Sequence, residues 1–316
     1  MPLLAINARN LVAVPDASGT DLEDLVRRSL ADQPPKSAIT VLIHGFRYSP
    51  YQHKINPHRQ ILALEPGDSS KDAISWPKHL GFGRDQGDGL CIGFGWDACG
   101  TIWQAHAQAE TAGRALAHLI RSIQRIDNSR RVDLLAHSLG VRVVLAALPH
   151  LAGGSIGRAI LMAGAEFSQT AARAVASPAG CSAEFFNITT RENDVFDALL
   201  ELLIKPAVRG DRALGHGLPD PKANWLDIQI DSSAVVAALA RHGHRIAGPS
   251  RGICHWSPYV RPGLFPFYRS LLRSPGVLPM PVLRATLLSV PDPRWSRLFG
   301  ALERPSGLPA AGNAAF

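Results

Sequence analysis

Hydrophobic positions follow two different periods along this chain, and the alternation between them from about residue 39 to residue 205 predicts the architecture. Residues 38–43 (Ala-Ile-Thr-Val-Leu-Ile) are a short β-branched run that stops at His44-Gly45, and residues 90–95 (Leu-Cys-Ile-Gly-Phe-Gly) are a second, with glycines that suit close backbone approach. Both read as buried strands. Between 102 and 123 the pattern changes. Ile102, Ala105, Ala109, Ala112, Leu116, Leu119, Ile120 and Ile123 recur at three- and four-residue intervals, which predicts one long amphipathic helix ending near Asp127-Asn128. Residues 132–136 form a third strand, 141–148 a helix stopped by Pro149, and 158–163 a fourth strand, a strand-helix-strand unit. A fifth strand is read at 184–189 and a sixth at 225–230. The fold class is therefore α/β, with a mostly parallel, doubly wound sheet and helices on both faces.

Two segments break the pattern. Residues 50–88 carry Pro, Gly and the histidines His53, His58 and His79 with little periodicity, too long for an ordinary connection, and are read as an insertion over one face. Beyond Ser274, prolines at 275, 279, 281, 291, 293, 305 and 309 argue against further sheet. The expected division is a domain over 1–274 and a Pro-rich tail over 275–316. Within that tail Trp295, Leu298, Phe299 and Leu302 recur at helical spacing opposite Arg294, Arg297 and Arg304. This is the pattern of a short basic amphipathic helix, about three turns long. Docking on its own domain or disorder is the expectation for 294–304, ahead of membrane contact.

Composition narrows the function classes. With 46% hydrophobic and 19% charged residues, the 316-residue chain can bury a large core and is not a disordered protein. Its formal charge of +7 is spread along the chain without basic runs, which disfavours nucleic acid as a partner. Cys91, Cys99, Cys181 and Cys254 form no C-x-x-C pair and suit buried reduced thiols. The start MPLLAINARNLVAV lacks a positively charged region ahead of its apolar stretch. No apolar run reaches the roughly 18 residues of a membrane span. A soluble cytoplasmic protein acting on a small molecule is the expectation.

The chemistry such a sheet commonly hosts uses a serine on a tight strand-to-helix turn, G-x-S-x-G, where small residues on both sides avoid a clash. Three segments approach it. Gly153-Gly154-Ser155-Ile156-Gly157 and Gly248-Pro249-Ser250-Arg251-Gly252 match literally, whereas Ala136-His137-Ser138-Leu139-Gly140 has Ala in the first position. Ser155 follows a helix and precedes a strand, the reverse of the required order, and Ser250 follows Pro249 with no strand or helix beside it. Ser138 alone lies after a strand and before a helix. It is the candidate nucleophile.

An activated serine also needs a base, a group that orients the base, and two N–H donors for the oxyanion. His44-Gly45-Phe46 ends an earlier strand, so the Phe46 N–H can pair with the Leu139 N–H at a helix N-terminus; the His44 side chain is expected to bond within its own loop. Asp194, directly after the 184–189 strand, is the candidate acid, with Glu192 and Asp197 as neighbours; Asp197 suits a first-turn helix acid. The base should come last, from among His216, His242, His244 and His255. His242-Gly243-His244 is an H-x-H without accompanying carboxylates or cysteines, hence a weak metal signal. His216 lies in a Gly-rich loop. His255 precedes an aromatic run including Trp256, Tyr259 and Phe265 and is the choice.

In these residues the chain resembles the α/β-hydrolase fold, and within it the small bacterial serine hydrolases and esterases of poorly defined substrate. The resemblance covers about residues 38–270 and is most specific at Ile43 to Phe46 and Leu134 to Val144. It implies Ser138 as nucleophile, Asp194 as acid, His255 as base and Phe46 and Leu139 as oxyanion donors. The implied reaction is cleavage of a carboxylic ester or thioester through an acyl-enzyme, with no cofactor and no metal. His137, Trp96 and Trp256 are the expected pocket residues, with a buried place in the core as the equal alternative for Trp96. The alternative is a non-catalytic binding module on the same fold. Ala136 in place of Gly and the 50–88 insertion depart from the pattern.

Overall fold

One eight-stranded sheet organises the protein, in the order β2-β1-β4-β3-β5-β6-β7-β8. The computed structural model describes residues 3–34, 37–67, 74–83, 89–220, 222–249 and 252–287. The strands are β1 (Leu3–Arg9), β2 (Val12–Pro15), β3 (Ile39–Ile43), β4 (Leu90–Gly95), β5 (Val132–His137), β6 (Ile156–Met162), β7 (Glu184–Thr189) and β8 (Trp225–Gln229). Every pairing is parallel except the β1–β2 hairpin at one edge. The helices are α1 (Leu22–Ala31), α2 (Trp76–His79), α3 (Ile102–Ile126), α4 (Leu139–Ala147), α5 (Ser168–Val175), α6 (Pro178–Ser182), α7 (Asp194–Leu203), α8 (Ser233–Arg241), α9 (Ser257–Val260), α10 (Leu264–Arg273) and α11 (Met280–Leu287).

The strands read as continuous apolar runs because both faces are covered. Val41, Ile43, Ile92, Phe94, Leu134 and Ala136 point to a core shared with α1, α3 and α4, and Leu42, Cys91, Leu135, Ile160 and Phe186 point to a second core under α2, α8 and α10. α3 starts with a reciprocal capping box between Thr101 and Gln104. It crosses α4 closely at Gly113, where a Cβ would lie 2.6 Å from the Ala146 Cβ.

The 50–88 segment, as far as it is described, covers the β3–β4 region on the second face and joins that core, with Ile61, Leu62, Trp76, Leu80 and Phe82 buried there. Gly93 and Gly95 leave room for His58: a Cβ on Gly95 would lie 2.7 Å from the His58 Nε2. The β1–β2 hairpin was not foreseen, because its apolar pattern alternates irregularly over a few residues. At the other end the core passes Ser274. α11 buries Met280, Leu283 and Leu287, while Arg284 donates to the carbonyls of Lys222 and Trp225, so residues 275–287 pack as part of the domain despite their prolines. The 294–304 segment lies outside the described residues. Among the described residues no helix is long and apolar enough to cross a membrane.

Candidate active site

The site is built at the carboxyl end of β5, where the chain must turn sharply from strand to helix. Ser138 occupies the turn with φ 57° and ψ −126°, a conformation an L side chain adopts only under strain. Its N–H donates to Met162 O at 3.0 Å, and its carbonyl accepts from Val141 and Ala165 N–H at 3.0 and 3.1 Å. Two glycines let neighbouring backbone close around it. A Cβ on Gly45 would fall 2.8 Å from the Ser138 Cβ, and one on Gly140 would fall 2.6 Å from His44 O. Ala136 is tolerated because it lies wholly buried within β5, paired with Ile43 and Leu161.

The loop after β3 is fastened by His44. Burial lowers its pKa to about 3, so the ring is neutral: Nε2 accepts from Trp96 N–H at 3.0 Å and Nδ1 faces Gly45 O at 2.9 Å. Trp96 stacks on that ring and donates its indole N–H to His44 O at 2.9 Å. This corrects the pocket reading of Trp96 in favour of the core one: it is 1% exposed and does not line the cavity at Ser138. The buried indole N–H needs an acceptor, and reaching His44 O holds the ring in the core. Phe46 and Leu139 line the cavity with Ser138, and among the described residues neither N–H donates to another backbone group.

His255 is brought to Ser138 from the far end of the chain, with Nε2 2.8 Å from the serine Oγ. Its loop is stapled to the one after β7: Cys254 N–H donates to Glu192 O at 2.8 Å, and the buried Glu192 carboxylate pairs with Arg261, which also donates to Ile230 O at 2.6 Å. The ring lies between Phe196, stacked at 4.6 Å, and His137, at the same centroid distance. His137 Nε2 is 2.9 Å from His255 O. Burial, and then the neighbouring His137, hold the His255 pKa well below 6.5; burial lowers His137 to about 4.

The side chain at Nδ1 of this base is an amide one residue before the expected acid, Asp194. His255 Nδ1 meets Asn193 Oδ1 at 2.6 Å, and Asn193 Nδ2 donates to Asp197 Oδ1 at 3.0 Å. Asn193 closes the 3-10 turn Arg191–Asn193 directly ahead of α7, one residue before Asp194. Asp194 is buried at the start of α7, and its charge adds to burial in pushing the Asp197 carboxyl well up. Of its two neighbours, Glu192 is taken by Arg261 and Asp197 stands behind Asn193. Asn193 carries no carboxylate, the group the sequence pattern leads one to expect here. The signal available was an Asn just before a helix, an ordinary capping residue; here its side chain makes no cap bond and serves His255 and Asp197 instead.

The remaining candidates separate cleanly. Ser155 stands at the start of β6, its carbonyl bonded to Val132 N–H, at the sheet end opposite Ser138. Ser250 is outside the described residues. His216 lies near Glu201, His242 faces Thr286 Oγ1 at 3.1 Å, and His244 packs on Phe267. Among the described residues no group of three or more His, Cys, Asp or Glu is placed to hold a metal.

A cavity of about 500 Å³ opens over Ser138, bounded by Phe46, Tyr48, Ile61, Phe196, Trp256 and Tyr259, with His137 in its wall. A larger cleft of about 740 Å³ at the opposite end of the sheet holds Arg130, Arg131 and Arg158. Two of these are already paired, Arg130 with Asp127 and Arg158 with Glu184. Residues 18–159 match a family model described as an alpha/beta hydrolase of unknown function (DUF900), a span that includes the β3 loop and Ser138 but ends before Asn193 and His255. No curated protein matches the chain.

Proposed function

The chain is a member of the α/β-hydrolase superfamily, and from that premise we propose that it is a serine hydrolase cleaving carboxylic esters or thioesters through Ser138, His255 and Asn193. The observation that carries this reading is the continuous chain of hydrogen bonds from a strained serine, 2.8 Å to His255 and 2.6 Å on to Asn193. Neutral His255 accepts the Ser138 proton at Nε2 while Oγ attacks the carbonyl carbon. Nδ1–H, held by the Asn193 oxygen, fixes the tautomer, and the Phe46 and Leu139 N–H groups receive the oxyanion. As the intermediate collapses, His255 returns the proton to the departing alcohol or thiol, leaving an acyl-Ser138 ester. A water then gives its proton to His255 and attacks the acyl carbon, and Ser138 leaves with that proton as the acid is released. With Cys91, Cys99, Cys181 and Cys254 all as free thiols, the proposed setting is the cytoplasm.

Labelling with a fluorophosphonate probe followed by peptide mass spectrometry tests the reading. The expected adduct is on Ser138, with Ser138→Ala losing both label and ester turnover. Turnover surviving in Ser138→Ala would overturn the assignment, and absence of both label and turnover in the folded wild type would favour a non-catalytic binding module.

A further inference from the structure

Resting on the reading above, we propose that the substrate carries a long apolar chain, which leaves Ser138 along a trough on α7 and ends at Trp103. α7 presents Phe196, Leu199, Leu200 and Leu203 to the cavity, the three- and four-residue spacing of a single helix face. Such a face is ordinarily packed shut. Here Leu200 is buried at 6% exposure, whereas its neighbours on the same face, Leu203 and Leu199, are 38% and 43% exposed. The apolar stripe is left open although burial of Leu200 anchors the helix.

The outer end of the trough is defined. Trp103, 56% exposed, donates its indole N–H to Leu203 O at 2.7 Å, which pins the ring beside the last turn of α7. Ile102 and Phe46 line the same cavity, and the half-exposed Trp256 stands at its rim. Among the described lining residues Arg47 alone carries a charge once His137 and His255 are neutral. A polar acyl group would find few partners here, whereas each methylene drawn from water gains by burial. From Phe196 to Leu203 the helix rises about 10 Å, the length of about eight carbons of extended chain.

The test is a series of p-nitrophenyl esters from acetate to laurate, assayed as monomers with the full chain. Full burial of one CH2 is worth about 0.8 kcal/mol, or about fourfold in kcat/KM. A partly open trough should give at least a tenfold rise from butyrate to octanoate, then a plateau past about ten carbons. Leu200→Trp, which fills the inner trough, should lower the octanoate-to-acetate ratio of kcat/KM at least tenfold. Leu203→Ser, a milder change at a half-exposed position, should lower it at least threefold. Leu11→Ser, a comparably exposed leucine on the β1–β2 turn, should leave the ratio unchanged. A flat or falling profile in protein whose Ser138 takes the fluorophosphonate label would overturn the inference and leave the serine-hydrolase reading standing. Absence of both label and turnover would overturn both.

Discussion

Asn193→Asp places a carboxylate where a neutral amide oxygen now meets His255 Nδ1 at 2.6 Å. In the native protein burial, with His137 adding to it, keeps the imidazole pKa well below 6.5. A base with a depressed pKa stays neutral into the acid range, so the acid limb of the wild-type kcat/KM profile should lie well below pH 6.5. An adjacent carboxylate favours the imidazolium and acts in the opposite sense. For unit charges about 4 Å apart at an effective dielectric constant of about 20, the attraction is about 4 kcal/mol. Neighbouring carboxylates usually shift a partner by about 1–3 pH units. One feature moderates the effect. Asp197, now accepting from Asn193 Nδ2 at 3.0 Å, has its carboxyl pushed up by burial and by Asp194, so it can keep a proton and donate it to the introduced carboxylate. The expectation is a rise of the acid limb by at least about one pH unit. The assay is kcat/KM for a soluble butyrate ester between pH 4 and 9, with Asn193→Ala beside it to show an at least tenfold loss of kcat when no oxygen orients the ring. An Asn193→Asp profile superimposable on wild type would refute the placement of Asn193 against the base.

Gly45→Ala should force the β3 loop away from the elbow, because the new Cβ would meet the Ser138 Cβ at 2.8 Å and His137 O at 2.9 Å. Displacing the Phe46 N–H in this way should lower kcat by about 10²–10³; an unaffected kcat would mean that the loop supplies no oxyanion donor. Glu192→Gln breaks the buried pair with Arg261 and should cost about 3–5 kcal/mol in urea unfolding. It should also reduce kcat by loosening the Cys254–Glu192 link that positions His255, and wild-type unfolding midpoint and kcat would refute the staple. Finally, buried His44 and His137 have folded pKa values of about 3 and about 4 against 6.5 when unfolded. The unfolded chain therefore binds their protons first, and the stability they confer is complete above pH 6.5 and lost as pH falls towards about 4 for His137 and about 3 for His44. The loss should approach about 1.4 kcal/mol per pH unit for each ring. Urea midpoints that do not fall between pH 6.5 and 5 would contradict neutral buried rings.

Much of the sheet was legible because parallel strands covered on both faces leave uninterrupted apolar runs, and β3, β4, β5, β7 and β8 lie within a residue or so of where those runs place them. The strand-to-helix setting also singles out Ser138 over two literal motif matches, and the structure places it at a turn of positive φ beside His255, with the methyl of Ala136 accommodated in β5. Legibility failed where position depends on contacts between distant segments. Four of the residues 50–88 with aromatic or aliphatic side chains, Leu62, Trp76, Leu80 and Phe82, are fully buried without any periodic signature, because the segment fills space over the sheet through irregular turns. The prolines after 274 suppress strands but permit the start of α11, where Pro281 sits in the first turn. The place of Trp96 directly after β4 leaves pocket and core equally open, and the need of its indole N–H for a buried acceptor, His44 O, decides for the core. Asn193 was hidden by chemistry, since the residue type sought was an acid.

The arrangement around His255 sets a definite electrostatic balance for the proposed reaction. Asp194 and Asp197 lie within a few residues of the base's partner, yet the group touching Nδ1 is a neutral amide. A carboxylate there would stabilise the imidazolium formed in the transition state, but it would also hold the resting ring protonated at higher pH, where it cannot accept the serine proton. A neutral orienter reverses both effects: the base stays ready into the acid range, and less of the developing positive charge is compensated. The compensating stabilisation must then come from the negative side of the transition state, from the Phe46 and Leu139 N–H groups and the N-terminus of α4. This accounts for the two glycines, Gly45 and Gly140, that bring the β3 loop against the elbow, where a single added Cβ would strike backbone or Ser138 itself. In this site the precision of the oxyanion side and the neutrality of the base side are two parts of the same design.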